Sequence, residues 1–520
     1  MSIPQEAGER SQMTGNLKKL RPYDEPPRRG RALVPGGVDS AAGLWFAVAA
    51  VWLLLAAGLG LLWIGLRMLP AAFPEAMPEG LNLAFQIPII NWTVAFNDET
   101  VTSGFFAALV WGWLTNAAIA GIWYVTPRLT GQRLMTDTIA NLALGLWNLG
   151  VLGSIAAAYV NELAQPGLLM EAPWWIDGLP LLGLTVVNLV FWRSVLPHLR
   201  GAYVSLLYMG LGLISLLGFY GLGALIELPF ISLDETARFL AAAAFLRLVI
   251  VYWVVGAAVG ALYYVVPRAT GNPLYSSGLA LAGLALWFVL GIGSAIGTLV
   301  DPTVPFAVTS LGSAATMMLV AHAFIVIANL FLTISGRWSL VLGTGAVGFA
   351  VVSLAFLGAS ALFDAVGALR GVQALVGRTG WSIGSLLFVT GGMATFAWFA
   401  AAEHGLPRIL RRDWRATPLT DIQLWAVFAG VTVTGLSLMA GGLAEGSLRA
   451  AAADPAEIAA TLIWFDVGAA IGFGLVALGA LAFVLDFFLH YTSAPRADYA
   501  LAPSTTPPAT ATDTAPATGS

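Results

Sequence analysis

The sequence contains no cysteine, and it has only four histidines among 520 residues. Without cysteine the chain cannot form disulfides, thiolate metal sites, iron–sulfur clusters or the covalent attachment of a c-type haem. Charged residues are also scarce, at 10% of the chain, whereas apolar residues make up 58%. A soluble domain of this length does not tolerate that composition, so the sequence predicts an integral membrane protein surrounded by the lipid bilayer.

Apolar stretches of about 20 residues, each long enough to cross a bilayer, recur along the middle of the chain. They predict an all-α membrane protein of about twelve transmembrane helices, at residues 43–69, 102–126, 138–162, 176–197, 202–226, 237–266, 276–299, 305–334, 338–363, 379–404, 420–443 and 458–490. The sequence therefore divides into a transmembrane domain, 39–490, and two flanking segments. We expect 1–38 and the Pro/Thr/Ala-rich tail 491–520 to be disordered.

The cations indicate an orientation. With both ends placed inside, most of the 24 lysine and arginine residues fall on the cytoplasmic side. They include seven in residues 1–38 and a cluster after the tenth helix, Arg408, Arg411, Arg412 and Arg415. The positive-inside rule thus predicts a multi-pass protein with both termini in the cytoplasm. The net charge of −4 says little about nucleic acid, but because these cations lie at the membrane surface we expect no nucleic-acid partner.

A Pro-Arg dipeptide recurs at an even interval. Pro127-Arg128, Pro267-Arg268 and Pro407-Arg408 are each 140 residues apart. Each follows a long apolar run, so we expect the proline to end a membrane helix and the arginine to lie at the water boundary. A fixed period of this kind indicates repeated structural units. The sequence predicts three pseudo-repeats of four helices each.

Several motifs resemble subunit I of the haem-copper oxidases. The segment from Tyr263 to Ser276 resembles the junction of that family's helices six and seven, and Trp381-Ser382-Ile383-Gly384 resembles the start of its helix ten. Asn116 and Asn329, within their local sequences, are similar to helices two and eight. The nearest match is the C-family, the cbb-type cytochrome c oxidases, with nitric oxide reductases more distant. The resemblance implies a twelve-helix fold in a bacterial or archaeal inner membrane, with haem b and copper held by helices two, six, seven and ten.

The ligand residues that the resemblance implies are missing. Phe105 stands where helix two supplies an axial histidine to the low-spin haem, and Ser385 and Leu387 stand at the His-x-His motif of helix ten. The copper positions hold Arg247, on helix six, and Gly297-Thr298, after helix seven, while Gly291 replaces the cross-linked tyrosine. We therefore expect neither haem nor copper to bind, and no catalytic residue is assigned.

The four histidines in the sequence offer few replacements for the missing haem and copper ligands. His198, His404 and His490 fall at helix ends, where we expect solvated or structural roles. His322 lies in the middle of a membrane helix, a rare place for an ionisable residue. It is either a hydrogen-bonded packing residue or a group that handles a metal, a haem or protons. One histidine cannot supply the five or six ligands that two haems and copper require.

Arg247 is the second candidate functional residue. A guanidinium within helix six must either extend to the outer surface or pair with an acid. Asp234, Asp301 and Asp466 are the predicted partners because all three fall toward the same outer side. If paired and buried, Arg247 puts a fixed positive charge where the family holds copper.

Three functions remain open from the sequence. The first is a subunit that has lost its redox centres and docks a membrane-anchored cytochrome c or another respiratory subunit, or assists assembly. The second is a catalytic subunit of a cytochrome c oxidase or nitric oxide reductase with unusual ligands. The third is a protein that binds a small molecule or a quinone in the former haem cavity. Whether the chain is an enzyme is therefore undecided.

Overall fold

The computed structural model describes residues 39–492 except 73–79, 90, 132–133, 135–136, 165–171, 227, 229, 299–303, 342, 344, 378 and 411–416. The predicted N-terminal segment, and all but two residues of the predicted tail, lie outside this part. The described chain contains twelve helices that are long and apolar enough to cross a membrane. The predicted fold class and number of spans are confirmed.

The helices, labelled here in chain order, follow the predicted spans closely. They are α1 Ser40–Ala72, α2 Asp98–Thr130, α3 Asp137–Ala158, α4 Trp174–Val195, α5 Val204–Ile226, α6 Thr236–Thr270, α7 Ser277–Ile296, α8 Phe306–Ile334, α9 Ala346–Gly367, α10 Gly380–Leu410, α11 Pro418–Ala450 and α12 Pro455–Thr492. A short helix, Arg370–Val376, precedes α10. The sequence did not indicate the antiparallel hairpin between α1 and α2, formed by β1 Leu83–Ile87 and β2 Trp92–Phe96.

Three helices occupy the centre and share an irregularity. In each of α2, α6 and α10 the α-helix gives way to π-helix for about two turns, at Ala107–Leu114, Val249–Val255 and Phe388–Ala394. These segments are almost entirely buried. π-helical turns are rare in proteins and concentrate at functional sites. Their recurrence in the second, sixth and tenth helices is the structural form of the repeat that the Pro-Arg dipeptides indicate.

The π-helical segments are joined across the repeats by tryptophan–threonine hydrogen bonds. Trp113 Nε1 on α2 donates to Thr395 Oγ1 on α10 at 3.0 Å, and Trp253 Nε1 on α6 donates to Thr115 Oγ1 on α2 at 2.9 Å. Each threonine hydroxyl in turn donates to the carbonyl five residues earlier in its own helix. Met393 occupies the third equivalent position and cannot continue the pattern. Backbone groups freed by the change of helix type are thus satisfied by side chains.

The Pro-Arg dipeptides do not end their helices, contrary to the sequence-based expectation. α2 continues past Pro127 to Thr130 and ends at Gly131, whose φ of +70° is a left-handed cap. α6 passes Pro267 in the same way and ends at Gly271, with φ of +72°. Glycine adopts this conformation without the steric cost of a Cβ. Arg128 is therefore inside the last helical turn and buried.

Candidate functional site

Phe105, at the predicted low-spin haem position, and Leu387, at one of the two predicted ligand positions of helix ten, line one cavity. Phe105 lies just before the π-helical segment of α2, and Leu387 just before that of α10. The cavity between them has a volume of about 40 Å³. Its other lining residues come from α1, α2, α10, α11 and α12 and are almost all apolar: Leu53, Ala56, Ala57, Leu109, Gly391, Thr395, Phe399, Val427, Val431, Thr434, Phe473, Val476 and Ala480.

An aromatic cluster fills the side of this cavity next to Phe105. The Phe105 ring stacks on Trp63 of α1 at 5.9 Å between centroids, and Phe473 of α12 meets it edge-on at 5.5 Å. All three side chains are buried. The remaining space of about 40 Å³ is far below the roughly 300–1,000 Å³ of ordinary ligand pockets. A haem would not fit unless these rings moved.

Arg247 forms an ion pair with Asp364, which was not among the predicted partners. Its Nη1 lies 2.6 Å from Oδ2 of Asp364 on α9, and its Nε donates to Ser294 Oγ on α7 at 3.3 Å. The two side chains are 16% and 24% exposed, so the pair is largely shielded. Asp466 instead pairs with Arg67, and Asp234 caps the start of α6 by accepting from Ala237 N. Asp301 lies outside the described residues.

The remaining copper positions are occupied by a close helix crossing. A Cβ added at Gly297 would lie 2.9 Å from the backbone of Gly312, so α7 and α8 can approach this closely only because both residues are glycine. Thr298 Oγ1 donates to Ala295 O of the preceding turn. At Gly291 an added Cβ would meet the Tyr252 ring at 2.5 Å. Backbone and a tyrosine from α6 therefore take the space where the resemblance implies copper and its neighbouring ring.

The residues at the predicted cofactor positions do not fit a haem or a copper ion. Phe105, Leu387, Arg247 and Gly297 have no side-chain atom that binds iron or copper, and the Ser385 hydroxyl donates to Ser382 O in its own helix. Within the described ranges, no group of three or more His, Cys, Asp or Glu side chains could hold a metal ion.

His322 lies in a buried aromatic environment on α8. Its Nε2 is 3.2 Å from the hydroxyl of Tyr208 on α5, and the Tyr208 and Trp287 rings lie 6.1 and 6.5 Å from the imidazole. The ring is 3% exposed. This geometry suits a hydrogen-bonded packing residue. A chemical role for His322 stays a prediction.

Removing the Tyr208 hydroxyl tests that role. In Tyr208→Phe the ring volume is kept while His322 loses its hydrogen-bond partner, so we expect a loss of about 0.5–1.5 kcal/mol of unfolding free energy. Equilibrium unfolding in detergent micelles measures this, with Tyr203→Phe, which loses a hydrogen bond to a backbone carbonyl, as the control. A complete loss of function with unchanged stability and unchanged assembly would assign His322 to chemistry.

The other histidines are placed differently from one another. His404 is buried, with its ring edge-on to those of Tyr124 and Tyr264. His490 is buried as well, contrary to a simple helix-end role, and its Nδ1 donates to Asp486 O at 2.8 Å. His198 is only partly buried in a short 3-10 turn. None of them reaches the cavity beside Phe105.

The sequence analysis did not predict two features, the partner of Arg247 and the aromatic residues that pack on Phe105. Asp364 lies one residue beyond the predicted ninth span, which ended at 363, whereas α9 continues to Gly367. Asp364 therefore lies inside a membrane helix, three residues before the end of that helix. The sequence-based span was too short to include it. Trp63 and Phe473 carry no local signal, because only the packing of α1 and α12 brings them to Phe105.

Comparison with known proteins identifies the family. Residues 41–475 match the model of cytochrome c and quinol oxidase polypeptide I, and the chain belongs to this family. The cbb3-type cytochrome c oxidase subunit CcoN1 of Stutzerimonas stutzeri is 27% identical over 188 residues, which are 36% of this chain and 40% of that protein. The cytochrome c oxidase subunit 1 homolog of Agrobacterium tumefaciens strain T37 is 22% identical over 383 residues, covering 70% and 69%. Cytochrome c oxidase subunit 1 of Rhodobacter capsulatus is 22% identical over 399 residues, covering 72% and 71%.

These findings confirm the resemblance to haem-copper oxidase subunit I. The chain is a multi-pass membrane protein with that family's helical fold. The alignment to the Stutzerimonas protein spans only about two fifths of its length, so its activity is not transferred to this chain by similarity alone.

Proposed function

We propose that this chain is a subunit I-like protein that has lost its redox centres and acts as a non-catalytic component of a respiratory complex. It docks a membrane-anchored cytochrome c or another respiratory subunit, or takes part in assembly. It lies in a bacterial or archaeal inner membrane with both termini in the cytoplasm. The observation that carries the proposal is that Phe105 and Leu387 line one small apolar cavity.

The support comes from how both former sites are built. An unused cofactor cavity would leave buried voids and unpaired polar groups, which cost stability. Here the low-spin position is filled by Phe105, Trp63 and Phe473, and the copper position by an ion pair and a glycine crossing. The residues at the expected cofactor positions are thus packed by side chains and backbone from several helices. Such packing is expected of a chain that needs its fold in order to present surfaces to partner subunits.

The absorption spectrum of the complex purified from its own membrane tests the proposal. We expect no b-type haem and no stoichiometric copper on this chain, by pyridine haemochrome assay and metal analysis. A covalently haem-stained band in a denaturing gel, if present, should migrate with a partner, because this chain has no cysteine. A b-type haem in a one-to-one ratio with this chain would support the catalytic alternative with unusual ligands.

A variant with histidines at the two expected ligand positions that line the cavity sharpens this test. In Phe105→His/Leu387→His the ligands return, but Trp63 and Phe473 still occupy the space, so we expect no haem uptake during expression with added haem precursor. The matched control, Phe105→Leu, changes packing without adding a ligand. If the double variant acquired a bis-histidine spectrum, the cavity would be an intact haem site, and the proposed loss would be recent and confined to ligands. The quinone alternative gains no support from a cavity of about 40 Å³.

A further inference from the structure

Three aromatic rings, one from each of the central helices α2, α6 and α10, meet near the Pro-Arg dipeptides. Tyr124, Tyr264 and His404 are spaced by the same 140 residues as the dipeptides. Their centroids are 6.0–6.4 Å apart, and each pair of rings is nearly perpendicular, with interplanar angles of 81–87°. The three side chains form a propeller around the pseudo-three-fold axis. Each blade is followed, four residues later, by one of the arginines of the Pro-Arg dipeptides.

Two of the three arginines are held by their own helices. Arg128 donates from Nη1 to Tyr124 O, and Arg408 donates from Nη1 to His404 O. Arg128 also forms a two-point ion pair with Asp39, with Nη1–Oδ1 at 2.7 Å and Nη2–Oδ2 at 2.9 Å. Its guanidinium lies 3.7 Å from the Tyr124 ring centroid. Arg128 is therefore neutralised and fixed.

Arg268 departs from this pattern. Its guanidinium carbon is 5.8 Å from the Tyr264 ring centroid, and it makes no bond to Tyr264 O. In the part of the chain that the structure describes, its Nε and Nη2 are buried without a hydrogen-bond partner. These two atoms lie on the same edge of the guanidinium and together form the fork that binds two oxygens of one oxyanion. Leaving buried donors of a charged group unpaired is costly.

The surroundings favour a negatively charged ligand. All three guanidinium groups lie within electrostatic range of His404 and Tyr264. Asp39 is committed to Arg128, and Glu403 has contacts of its own. An oxyanion at Arg268 would thus be attracted by more than one cation. Guanidinium forks at this membrane boundary suit phosphate oxygens in particular.

We propose that the end of the central axis carrying the ring propeller binds a phosphate group, with Nε and Nη2 of Arg268 as the two-point ligand and Arg408 as a second cation. The phosphate belongs either to a lipid headgroup of the adjacent leaflet or to a soluble phosphate-bearing molecule. The chemistry of recognition is the same in both cases. The site is separate from the cavity beside Phe105 and does not depend on the function proposed above.

Ligand-dependent stability tests the site. In one arm, the chain in detergent is titrated with inorganic phosphate at constant ionic strength, and thermal unfolding is followed. In the other, it is placed in nanodiscs of phosphatidylglycerol or of a phosphate-free glycolipid. We expect the wild type to be stabilised in at least one arm. Stabilisation by free phosphate indicates a soluble ligand, and stabilisation by phosphatidylglycerol alone indicates a headgroup.

The variants make the result specific. Arg268→Gln should weaken the effect about tenfold, because one charge-assisted two-point contact is lost. Arg268→Lys keeps the charge without the fork and should fall between the two, and it serves as the test if the glutamine variant does not fold. Arg337→Gln, the same charge change at an exposed site on the same side of the membrane, should behave as the wild type. The proposal is overturned if the wild type is stabilised in neither arm. It is also overturned if Arg268→Gln is stabilised as much as the wild type, or if Arg337→Gln loses the stabilisation.

Discussion

Arg128→Gln should be among the most destabilising single substitutions in this protein, lowering the unfolding free energy by about 3–5 kcal/mol. The substitution leaves the carboxylate of Asp39, which is 3% exposed, without its two-point partner at the start of α1. That buried carboxylate then loses two charge-assisted hydrogen bonds, which is costly in a poorly solvated position. The stacking of Arg128 on Tyr124 is lost as well. Equilibrium unfolding in mixed micelles and the level of protein in the membrane would both report the loss.

The repeat supplies a matched control. Arg268→Gln removes the same side chain from the equivalent helix position, but no protein acid in the described ranges is paired with Arg268. In the absence of phosphate it should be no less stable than the wild type, because no paired acid is left behind and the buried donors without a partner are removed. The double variant Asp39→Asn/Arg128→Gln should recover part of the loss, because neither partner is then a stranded charge. Equal losses in Arg128→Gln and Arg268→Gln would show that the Asp39 pair contributes nothing specific.

Arg247→Leu should produce the second large effect, a loss of about 3 kcal/mol, at the lower end for a shielded ion pair because both side chains remain partly exposed. Asp364 would be left as an unpaired acid within α9, and Ser294 would lose its donor. Arg247→Lys keeps the charge but not the planar fork, so an intermediate loss is expected. Thermal unfolding of the purified variants gives the order.

Two further measurements show how much the Arg247–Asp364 ion pair contributes to stability: a variant that lacks both charges, and a variant that breaks a different ion pair. Arg247→Leu/Asp364→Leu removes both charges and should regain much of the stability, since apolar replacements of a shielded pair are often neutral. Arg449→Leu breaks an exposed pair with Glu445 one turn away and should cost at most about 1 kcal/mol. If Arg247→Leu melts with the wild type, the residue reaches solvent. The idea that a fixed charge replaces that of copper would then be wrong.

The sequence also contained a signal that was only partly used. The 140-residue interval between the Pro-Arg dipeptides applies equally to Tyr124, Tyr264 and His404. That interval places His404 as the third member of a ring propeller, which explains its burial better than a helix-end role does. The reverse holds for the prolines. Their local preference predicted helix ends, but the following glycines, Gly131 and Gly271, determine where α2 and α6 stop.

The sequence by itself determined the membrane class, the twelve spans, the three-fold repeat and the family, because hydropathy, length and period are properties read along the chain. It also showed that the expected ligand residues are missing. Only the tertiary structure decided which groups meet. Arg128 and Asp39 are 89 residues apart, and Arg247 and Asp364 are 117 apart. Several acidic residues have similar local sequences, and only the packing of the helices determines which of them pairs with each arginine. The small cavity beside Phe105 and Leu387 likewise depends on five helices at once, and no local pattern carries that information.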